Sequence, residues 1–445
     1  MTRITARSAA SPVTVFVICW LGLLADGYDL YVYGATLPGF IGQAPWNVTP
    51  ATAGAVGSFA LVGMLLGSMI AGTLTDRLGR RRLLIGSLAL FSLAMLACAF
   101  APNFSVFGAL RFVAGIGIGG LLPTAVALTN EFASARKKSI VLGLVLTGPA
   151  IGSLLAAVVA VNLLEDHGVR PVYAIGAASA LLIPFALRLL PESPAYLRAV
   201  GRHDAAAELS SRYGMTSPDD VGRPPAQGTA PALPRGLVAG LFRDRNLAPT
   251  LGMWLLCLLS LLTIFGLTTW LPQMMRQAGF AQGSAISFLL TYSIGAIAGT
   301  VVAAVVGQLT APKVMAIIGF VAAAAALLVA SQASSPAVLT TAFLIAGFGG
   351  MGTQNMINDH VAQYYPAALR ATGLGWALAA GRVGAIIGPS YGAWAVTTGG
   401  GVEFAALAFA VPALLGAVIA LGLPRRQRIV DPAKLSVRAT KEVPR

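Results

Sequence analysis

Charged residues are scarce in this chain of 445 residues: they make up only 10% of the sequence, whereas hydrophobic residues make up 56%. A soluble protein of this length could not cover so much apolar surface, and a mean hydropathy of +0.78 indicates a protein that crosses a membrane several times. Acidic residues are the rarer sign, 16 against 30 lysines and arginines. The basic residues fall in short connections between apolar runs, so the excess predicts an orientation in the membrane and no nucleic-acid partner.

Residues that bind metals or form disulfides are equally rare, with three cysteines and three histidines in the chain. Cys19, Cys98 and Cys257 each lie within an apolar run without ligand-like spacing, so we expect three buried thiols, no disulfide and no metal. The chain also lacks a nucleophile triad and a phosphate-binding loop. We therefore expect neither an enzyme nor a cofactor.

Twelve apolar runs are long enough to cross a bilayer, which predicts an all-α membrane protein with twelve transmembrane helices. We expect a six-helix bundle at 1–190, a cytoplasmic loop at 191–246, a second six-helix bundle at 247–423 and a basic tail at 424–445. The first run begins like a signal peptide but continues past Asp26, so an uncleaved first span is expected. The predicted spans are residues 13–40, 51–75, 83–101, 104–131, 140–164, 169–190, 247–275, 282–308, 314–331, 335–360, 369–398 and 401–423.

The distribution of lysine and arginine predicts the topology. With a cytoplasmic N-terminus, 26 of the 30 basic residues lie on the cytoplasmic side and only Arg170 and Arg276 lie outside. Arg111 and Arg382 remain within spans. This asymmetry is typical of a multi-pass protein of the bacterial inner membrane with both termini in the cytoplasm.

The chain also contains an internal repeat. A shift of 232 residues places the sequence around Ala114–Gly117 on that around Ala346–Gly349, and Gly120, Gly143 and Gly152 then fall on glycines 352, 375 and 384. Two matching six-helix halves that enclose a site near the bilayer midplane are typical of a transporter.

Two carboxylates lie three residues apart in the first span, at Asp26 and Asp29, and a helix would place them on one face. An ionisable residue at this depth is costly unless it faces a cavity or a partner, so it indicates a functional site. Burial favours the protonated form of a carboxyl group, which a proton carrier requires.

The sequence G-T-L-T-D-R-L-G-R-R-R at residues 72–82 resembles the signature of the major facilitator superfamily, a group of transporters with two six-helix halves. The resemblance implies a latch between the halves, in which this turn pairs with an acid at the end of the fourth span, here Glu131. Asp76, Arg77 and Arg80 are therefore expected to take part in gating. The corresponding turn in the second half, at 307–313, has lost the Asp-Arg pair.

Three other motifs resemble elements of the same superfamily. The arginine of R-F-x-x-G-x-G-x-G-G at 111–120 is tied there to proton coupling, and snorkelling to the headgroups is the alternative for Arg111. Gly148-Pro149 predicts a kink in the fifth span and resembles a motif of antiporters, which keeps efflux open. P-E-S-P at 191–194 resembles the segment that closes the first half in sugar and organic-acid transporters.

A narrower resemblance lies in D-G-Y-D at 26–29 and in the junction of the tenth and eleventh spans, Y-Y-P-x-x-x-R-A-T-G-x-G-W at 364–376, followed by G-R-x-G-A-I-x-G-P at 381–389. Together they resemble the aromatic acid:proton symporter family, whose members import benzoate-type and hydroxybenzoate-type anions. The resemblance implies that the acid pair and Arg111 serve proton coupling. It also carries the family's arginines onto Arg370, expected at a cytoplasmic gate, and Arg382.

Arg382 is the sharpest candidate for substrate binding, because it lies near mid-bilayer and a guanidinium binds a carboxylate through two parallel hydrogen bonds. An ion pair with Asp26 or Asp29 is the alternative. Gln354 and Asn355 could bind a ring hydroxyl or bridge helices, and Tyr28 and Tyr292 could stack on an aromatic ring. Trp270 is expected in the outer interfacial belt.

These observations predict proton-coupled uptake of an aromatic carboxylate by alternating access, in a monomer whose partners are the anion, the proton and the lipid bilayer. Proton-driven efflux of amphipathic compounds and symport of a non-aromatic organic acid remain alternatives.

Overall fold

The structure, a computed structural model, describes residues 11–41, 46–134, 137–213, 241–242, 246–306, 310–398 and 401–424. Within these ranges the chain forms sixteen α-helices, with short 3-10 turns after α1 and between α7 and α8. The helices are α1 Pro12–Thr36, α2 Pro50–Leu78, α3 Arg80–Ala99, α4 Phe104–Phe132, α5 Lys138–Val145, α6 Gly148–His167, α7 Val169–Ala177, α8 Leu182–Leu189, α9 Pro194–Ala199, α10 His203–Arg212, α11 Leu247–Gln277, α12 Gln282–Val306, α13 Pro312–Gln332, α14 Pro336–Tyr364, α15 Ala367–Thr397 and α16 Gly401–Gly422.

These helices account for the twelve predicted spans, the fifth being α5 with α6 and the sixth α7 with α8. Among the described residues, eleven stretches are long and apolar enough to cross a membrane. The predicted span outside that group is α15, which has 31 residues but is less apolar because it carries Arg370, Arg382 and several glycines. The three cysteines are buried, as predicted.

Helix ends follow from local chemistry. Asn103 caps α4 by accepting a hydrogen bond from the backbone N–H of Val106 at 2.9 Å, and several helices begin with proline, which is preformed for the first turn. The predicted interruption at Gly148-Pro149 is confirmed, since α5 ends at Val145 and α6 begins at Gly148. The interruption of the sixth span by a 3-10 turn at Ala178–Leu181 was not predicted.

The internal repeat is confirmed in the helix boundaries. A shift of 232 residues carries α4 from 104–132 to 336–364, which are the bounds of α14. It carries α3 to 312–331, where α13 spans Pro312–Gln332. The first half is therefore α1–α8 and the second half α11–α16, whereas the predicted domain limits themselves remain predictions.

The repeat extends to individual backbone contacts. Gly63 in α2 lies so close to α4 that an added Cβ atom would be 2.1 Å from the carbonyl oxygen of Phe112. Its counterpart in α12, Gly295, has the same relation to Leu344 of α14, with 2.0 Å to the carbonyl oxygen. Small residues let helix backbones approach in this way in membranes, so the same glycine-lined crossing builds both halves.

The halves meet through α2 against α15, α6 against α12, and α1 against α11. The first two contacts are the same contact related by the repeat, because the shift carries α2 onto α12 and 138–167 onto 370–399. We call the ends of the spans that the charge distribution places outside the outer ends. There Ser58 and Ser390 hydrogen-bond at 3.0 Å, and a Cβ on Gly34 would lie 2.2 Å from the carbonyl oxygen of Thr268. The two halves are therefore closed against each other at the outer ends.

Candidate functional site

Asp29 and Arg111 form a buried ion pair inside the first half. Arg111 Nη1 contacts Asp29 Oδ1, and Nη2 donates to the backbone oxygen of Asp29 at 3.3 Å. Both residues are 2% exposed, and the guanidinium carbon lies 5.8 Å and 6.0 Å from the ring centres of Tyr33 and Tyr173. Arg111 is therefore held in the protein interior by an acid and two aromatic faces, and it does not snorkel to the headgroups.

Asp26 has a different environment, although it lies one helical turn from Asp29. It is 2% exposed, and its Oδ1 atom has no hydrogen-bond partner among the described residues. It lies close enough to Arg382 of α15 for the two charges to attract each other, but the described part of the chain shows no salt bridge within 4.0 Å between them. Each acid of the predicted pair thus has its own arginine, and only Asp26 faces the opposite half.

The direction of Arg382 follows from helix geometry. Arg382, Ile386 and Pro389 are spaced as i, i+4 and i+7, so they share one face of α15. Pro389 contacts α2, since a Cβ on Gly57 would lie 2.9 Å from its side chain. The half-buried Arg382 therefore lies on the side of α15 that faces the first half, about two turns inward of the outer contact.

A narrow cavity lies between the halves beside the buried ion pair. The first half contributes Asp29, Tyr33 and Arg111 to its lining, and the second half contributes Phe265 and Thr269 of α11. Because both halves form its walls, a relative rotation of the halves would reshape it. Asp26 and Arg382 are not part of this lining, so the predicted single chamber is divided in this conformation.

Gln354, Asn355 and Tyr292 lie in the second half, as predicted. Gln354 is 6% exposed, whereas Asn355 is exposed and makes no hydrogen bond within the described ranges. Tyr292 is 1% exposed and lies near Tyr31 of α1 across the interface between the halves. The structure therefore brings two tyrosines from opposite halves together, a pairing that the sequence did not reveal.

Three aromatic or polar side chains lie elsewhere than predicted. Tyr28 is packed inside the first half, where its hydroxyl donates to the backbone oxygen of Val172 at 2.6 Å, so we remove it from the candidate substrate residues. Trp270 is fully buried and donates to Pro389 at 2.7 Å, so it does not belong to an interfacial belt. His360, expected to be solvated, is 4% exposed.

The turn at residues 72–82 is fixed within the first half. Arg80 forms an ion pair with Glu131 at the end of α4, and Ser193 also donates a hydrogen bond to Glu131. These residues all belong to the first half or to the segment that follows it, so the predicted latch does not join the two halves in this conformation. The side chain of Asp76 lies outside the described residues, while Arg77 and Arg370 are exposed.

Glu192 supplies the missing cap of α3. Gly79, with φ of +87°, precedes this helix and offers no side-chain oxygen. Glu192 Oε1 instead accepts hydrogen bonds from the backbone N–H groups of Arg81 and Ser193, both at 3.0 Å. The P-E-S-P motif is thus a structural clamp on the cytoplasmic turn.

Loss of this remote cap is expected to destabilise the protein. Replacing Glu192 by alanine should lower the free energy of unfolding by about 1 kcal/mol, the usual cost of removing a helix cap, and thermal unfolding of the purified protein measures it. Glu208→Ala on the exposed face of α10 is the matched control. Equal melting temperatures of the two variants would contradict the capping role.

Comparison with known proteins identifies the fold. The chain matches the Major Facilitator Superfamily over residues 19–389. It belongs to the major facilitator superfamily. The D-xylose-proton symporter structure superimposes with a TM-score of 0.71 at 21% identity and covers 93% of this chain and 98% of that chain. An inward-open structure of the xylose transporter XylE from E. coli gives a TM-score of 0.71 at 19% identity, with 96% and 99% covered.

Several relatives of this superfamily member carry named substrates. A gentisate transporter of Corynebacterium glutamicum is 33% identical over 416 residues, which cover 93% of this chain and 87% of the relative. A benzoate transport protein of Acinetobacter baylyi is 30% identical over 435 residues, 95% and 91% of the two chains. The 4-hydroxybenzoate transporter PcaK of Pseudomonas aeruginosa is 30% identical over 419 residues, 92% of each. The chain is therefore a multi-pass transporter of the bacterial inner membrane and not an enzyme, and its relatives transport aromatic acids.

Proposed function

We propose that this transporter takes up an aromatic carboxylate of the benzoate or hydroxybenzoate class together with a proton. The relatives named for gentisate, benzoate and 4-hydroxybenzoate support the substrate class. The alignments span nearly the whole chain, so both halves that form the site are included in the comparison.

The observation that carries the proposal is the incompletely matched pair formed by Asp26 and Arg382. Asp26 belongs to the first half and has an unpartnered carboxylate oxygen, while Arg382 belongs to the second half and faces it. A guanidinium that is attracted to a carboxylate without being fully engaged can exchange it for the carboxylate of a substrate. Protonation of Asp26 removes the competing charge.

This exchange gives a coupling cycle. From the outside, Asp26 takes up a proton and Arg382 binds the substrate anion, so the charges at the interface stay balanced. The halves then rotate about the site, and the higher pH of the cytoplasm favours loss of the proton. Ionised Asp26 competes again for Arg382 and displaces the anion.

Asp29 and Arg111 have a different role in this proposal. Asp29 is already paired with Arg111 at two atoms, and an opposite charge in contact favours the ionised form of a carboxyl group. We assign the transported proton to Asp26, and we assign to the buried pair the task of holding α1 against α4 while the halves move. Arg80, Glu131 and Arg370 are proposed to act at the cytoplasmic gate, with Asp76 and Arg77.

Purified protein in proteoliposomes tests the proposal with labelled 4-hydroxybenzoate. We expect counterflow without an ion gradient, and accumulation when the lumen is made more alkaline than the outside. The proposal fails if neither benzoate nor 4-hydroxybenzoate is exchanged, or if uptake does not respond to the pH gradient.

The variant Asp26→Asn separates binding from coupling. Asparagine resembles the protonated carboxyl group, so counterflow should continue, whereas accumulation driven by the pH gradient should fall to the level of exchange alone. Asp166→Asn, an exposed residue near the outer end of α6, is the matched control and should accumulate substrate normally. Gradient-driven accumulation by Asp26→Asn would assign the proton to another group.

We also propose that the protein functions as a monomer with both termini in the cytoplasm. The acid, the arginines and both walls of the cavity come from one chain, so no second copy is needed to complete the site.

A further inference from the structure

Gln354 is buried with only one side of its amide paired. Its Nε2 atom donates to Asn358 Oδ1 at 3.0 Å and lies 3.9 Å from Cys257 Sγ. Its Oε1 atom has no hydrogen-bond partner in the described part of the chain, although the residue is 6% exposed. A buried carbonyl oxygen without a donor is costly, and such atoms are rare in folded proteins. This amide oxygen therefore needs a donor that the described residues do not supply.

The partners of Gln354 determine which kind of group can bind there. Asn358 Oδ1 and Cys257 Sγ both receive the amide nitrogen, so the oxygen is the atom that remains available. An amide oxygen accepts hydrogen bonds and cannot donate them. The free position consequently suits a hydroxyl group and is unsuited to a carboxylate, which is itself only an acceptor.

Gln354 lies near the proposed substrate arginine. Cys257, which contacts the Gln354 amide, also packs against α15 at Gly381, where an added Cβ would be 3.3 Å from the Cys257 Cβ. Arg382 is the next residue. Gln354 precedes the inner end of α14 by ten residues and Arg382 follows the inner end of α15 by fifteen, and five residues correspond to about 7.5 Å along the helix axis. This offset is similar to the length of a benzene ring with substituents at both ends.

Tyr292 lies on the same side of α14 as Gln354. Its hydroxyl would be 2.8 Å from a Cβ on Gly350, and Gly350 is one turn before Gln354 on the same helix face. Tyr31 of the first half lies close to Tyr292. An acceptor and a phenol ring therefore adjoin the path between the halves, at the distance from Arg382 where the far end of an aromatic acid would lie.

We propose that Gln354, with Tyr292 beside it, forms a subsite that recognises a hydroxyl group on the ring of the substrate. This inference rests on the proposed function and deepens it: when Arg382 holds the carboxylate, the ring hydroxyl donates to Gln354 Oε1. The terminal torsion of a glutamine is broad, so the amide can turn toward the ligand while its nitrogen stays near Asn358. The transporter then prefers hydroxylated aromatic acids to unsubstituted ones.

Competition against counterflow of labelled 4-hydroxybenzoate tests the subsite in the wild-type protein. The competitors are benzoate, 3- and 4-hydroxybenzoate, and the two corresponding methoxybenzoates, which keep the ring oxygen but cannot donate. We expect at least one hydroxybenzoate to compete roughly tenfold better than benzoate and than its methoxy analogue, as for one well-made neutral hydrogen bond. Equal competition by hydroxy and methoxy compounds would overturn the subsite.

Gln354→Leu then assigns the preference to this residue. It should lower the ratio of hydroxybenzoate to benzoate affinity roughly tenfold while benzoate still binds, and benzoate binding also shows that the variant is folded. Gln332→Leu, the same exchange at the exposed end of α13, should leave the ratio unchanged. If Gln354→Leu loses all binding, Gln354→Met provides the same comparison with a more flexible side chain.

The outcomes separate this inference from the proposed function. If the wild type exchanges no aromatic carboxylate, the proposed function fails. If it exchanges them and its preference for hydroxyl groups persists in both Gln354 variants, only the subsite is wrong.

Discussion

Replacement of Arg382 by glutamine is expected to weaken binding of an aromatic carboxylate about a hundredfold. Removing one partner of a desolvated, hydrogen-bonded charge pair typically costs 2–5 kcal/mol, and about 2.8 kcal/mol corresponds to a factor of one hundred. Arg382→Lys should lose roughly tenfold, because it retains the charge but not the two parallel hydrogen bonds. Titration of the purified protein with benzoate and 4-hydroxybenzoate measures both effects.

The fold should tolerate the Arg382 variants. Arg382 is only half-buried and makes no salt bridge within 4.0 Å in the described residues, and Asp26 can take up a proton when its counter-charge is removed. Arg170→Gln, at an exposed arginine near the outer end of α7, is the matched control and should bind normally. Binding by Arg382→Gln within threefold of the wild type would mean that the substrate carboxylate is held elsewhere.

Much of the fold could be predicted because the bilayer and the repeat constrain it. The bilayer thickness sets the length of each span, and the shift of 232 residues fixes how the halves correspond. The break of α7 from α8 was missed, since the apolar run is continuous there and the 3-10 turn depends on packing against α3.

The site departs from the repeat that builds the scaffold. The counterparts of Arg111, Gln354 and Arg382 under the shift are Phe343, Leu122 and Ala150. A polar residue at a span position whose repeat partner is apolar therefore marks the candidate site. This signal was available in the sequence, and it would have ranked Gln354 above the tyrosines.

The pairing of the charges could not be predicted from spacing. Asp26 and Asp29 are equivalent in the sequence, and only the rotation of α1 between α4 and α15 gives them different arginines. Tyr28 and Trp270 show the same limit, because a residue at a given depth can face lipid, a neighbouring helix or the interface between the halves. Gly27, read as part of the acidic motif, is required for packing: a Cβ there would lie 2.0 Å from the carbonyl oxygen of Pro149.

The second large effect concerns the buried pair of Asp29 and Arg111. Asp29→Leu should lower the free energy of unfolding by about 3–5 kcal/mol, because it leaves a guanidinium buried without its counter-charge. Arg111→Leu should be less damaging, since the remaining Asp29 can be neutralised by a proton whereas arginine stays charged in proteins. Thermal unfolding of the purified variants measures the difference.

The double variant Asp29→Leu/Arg111→Leu decides whether the cost arises from the unpaired charge. Replacing both members of a buried ion pair by apolar residues is often neutral for stability, so the double variant should be more stable than Asp29→Leu alone. Glu131→Leu breaks the Arg80 pair, whose side chains are 22% and 17% exposed, and should cost less because water screens it. If the double variant unfolds as readily as Asp29→Leu, the pair stabilises α1 and α4 through its shape and not through compensation of charge.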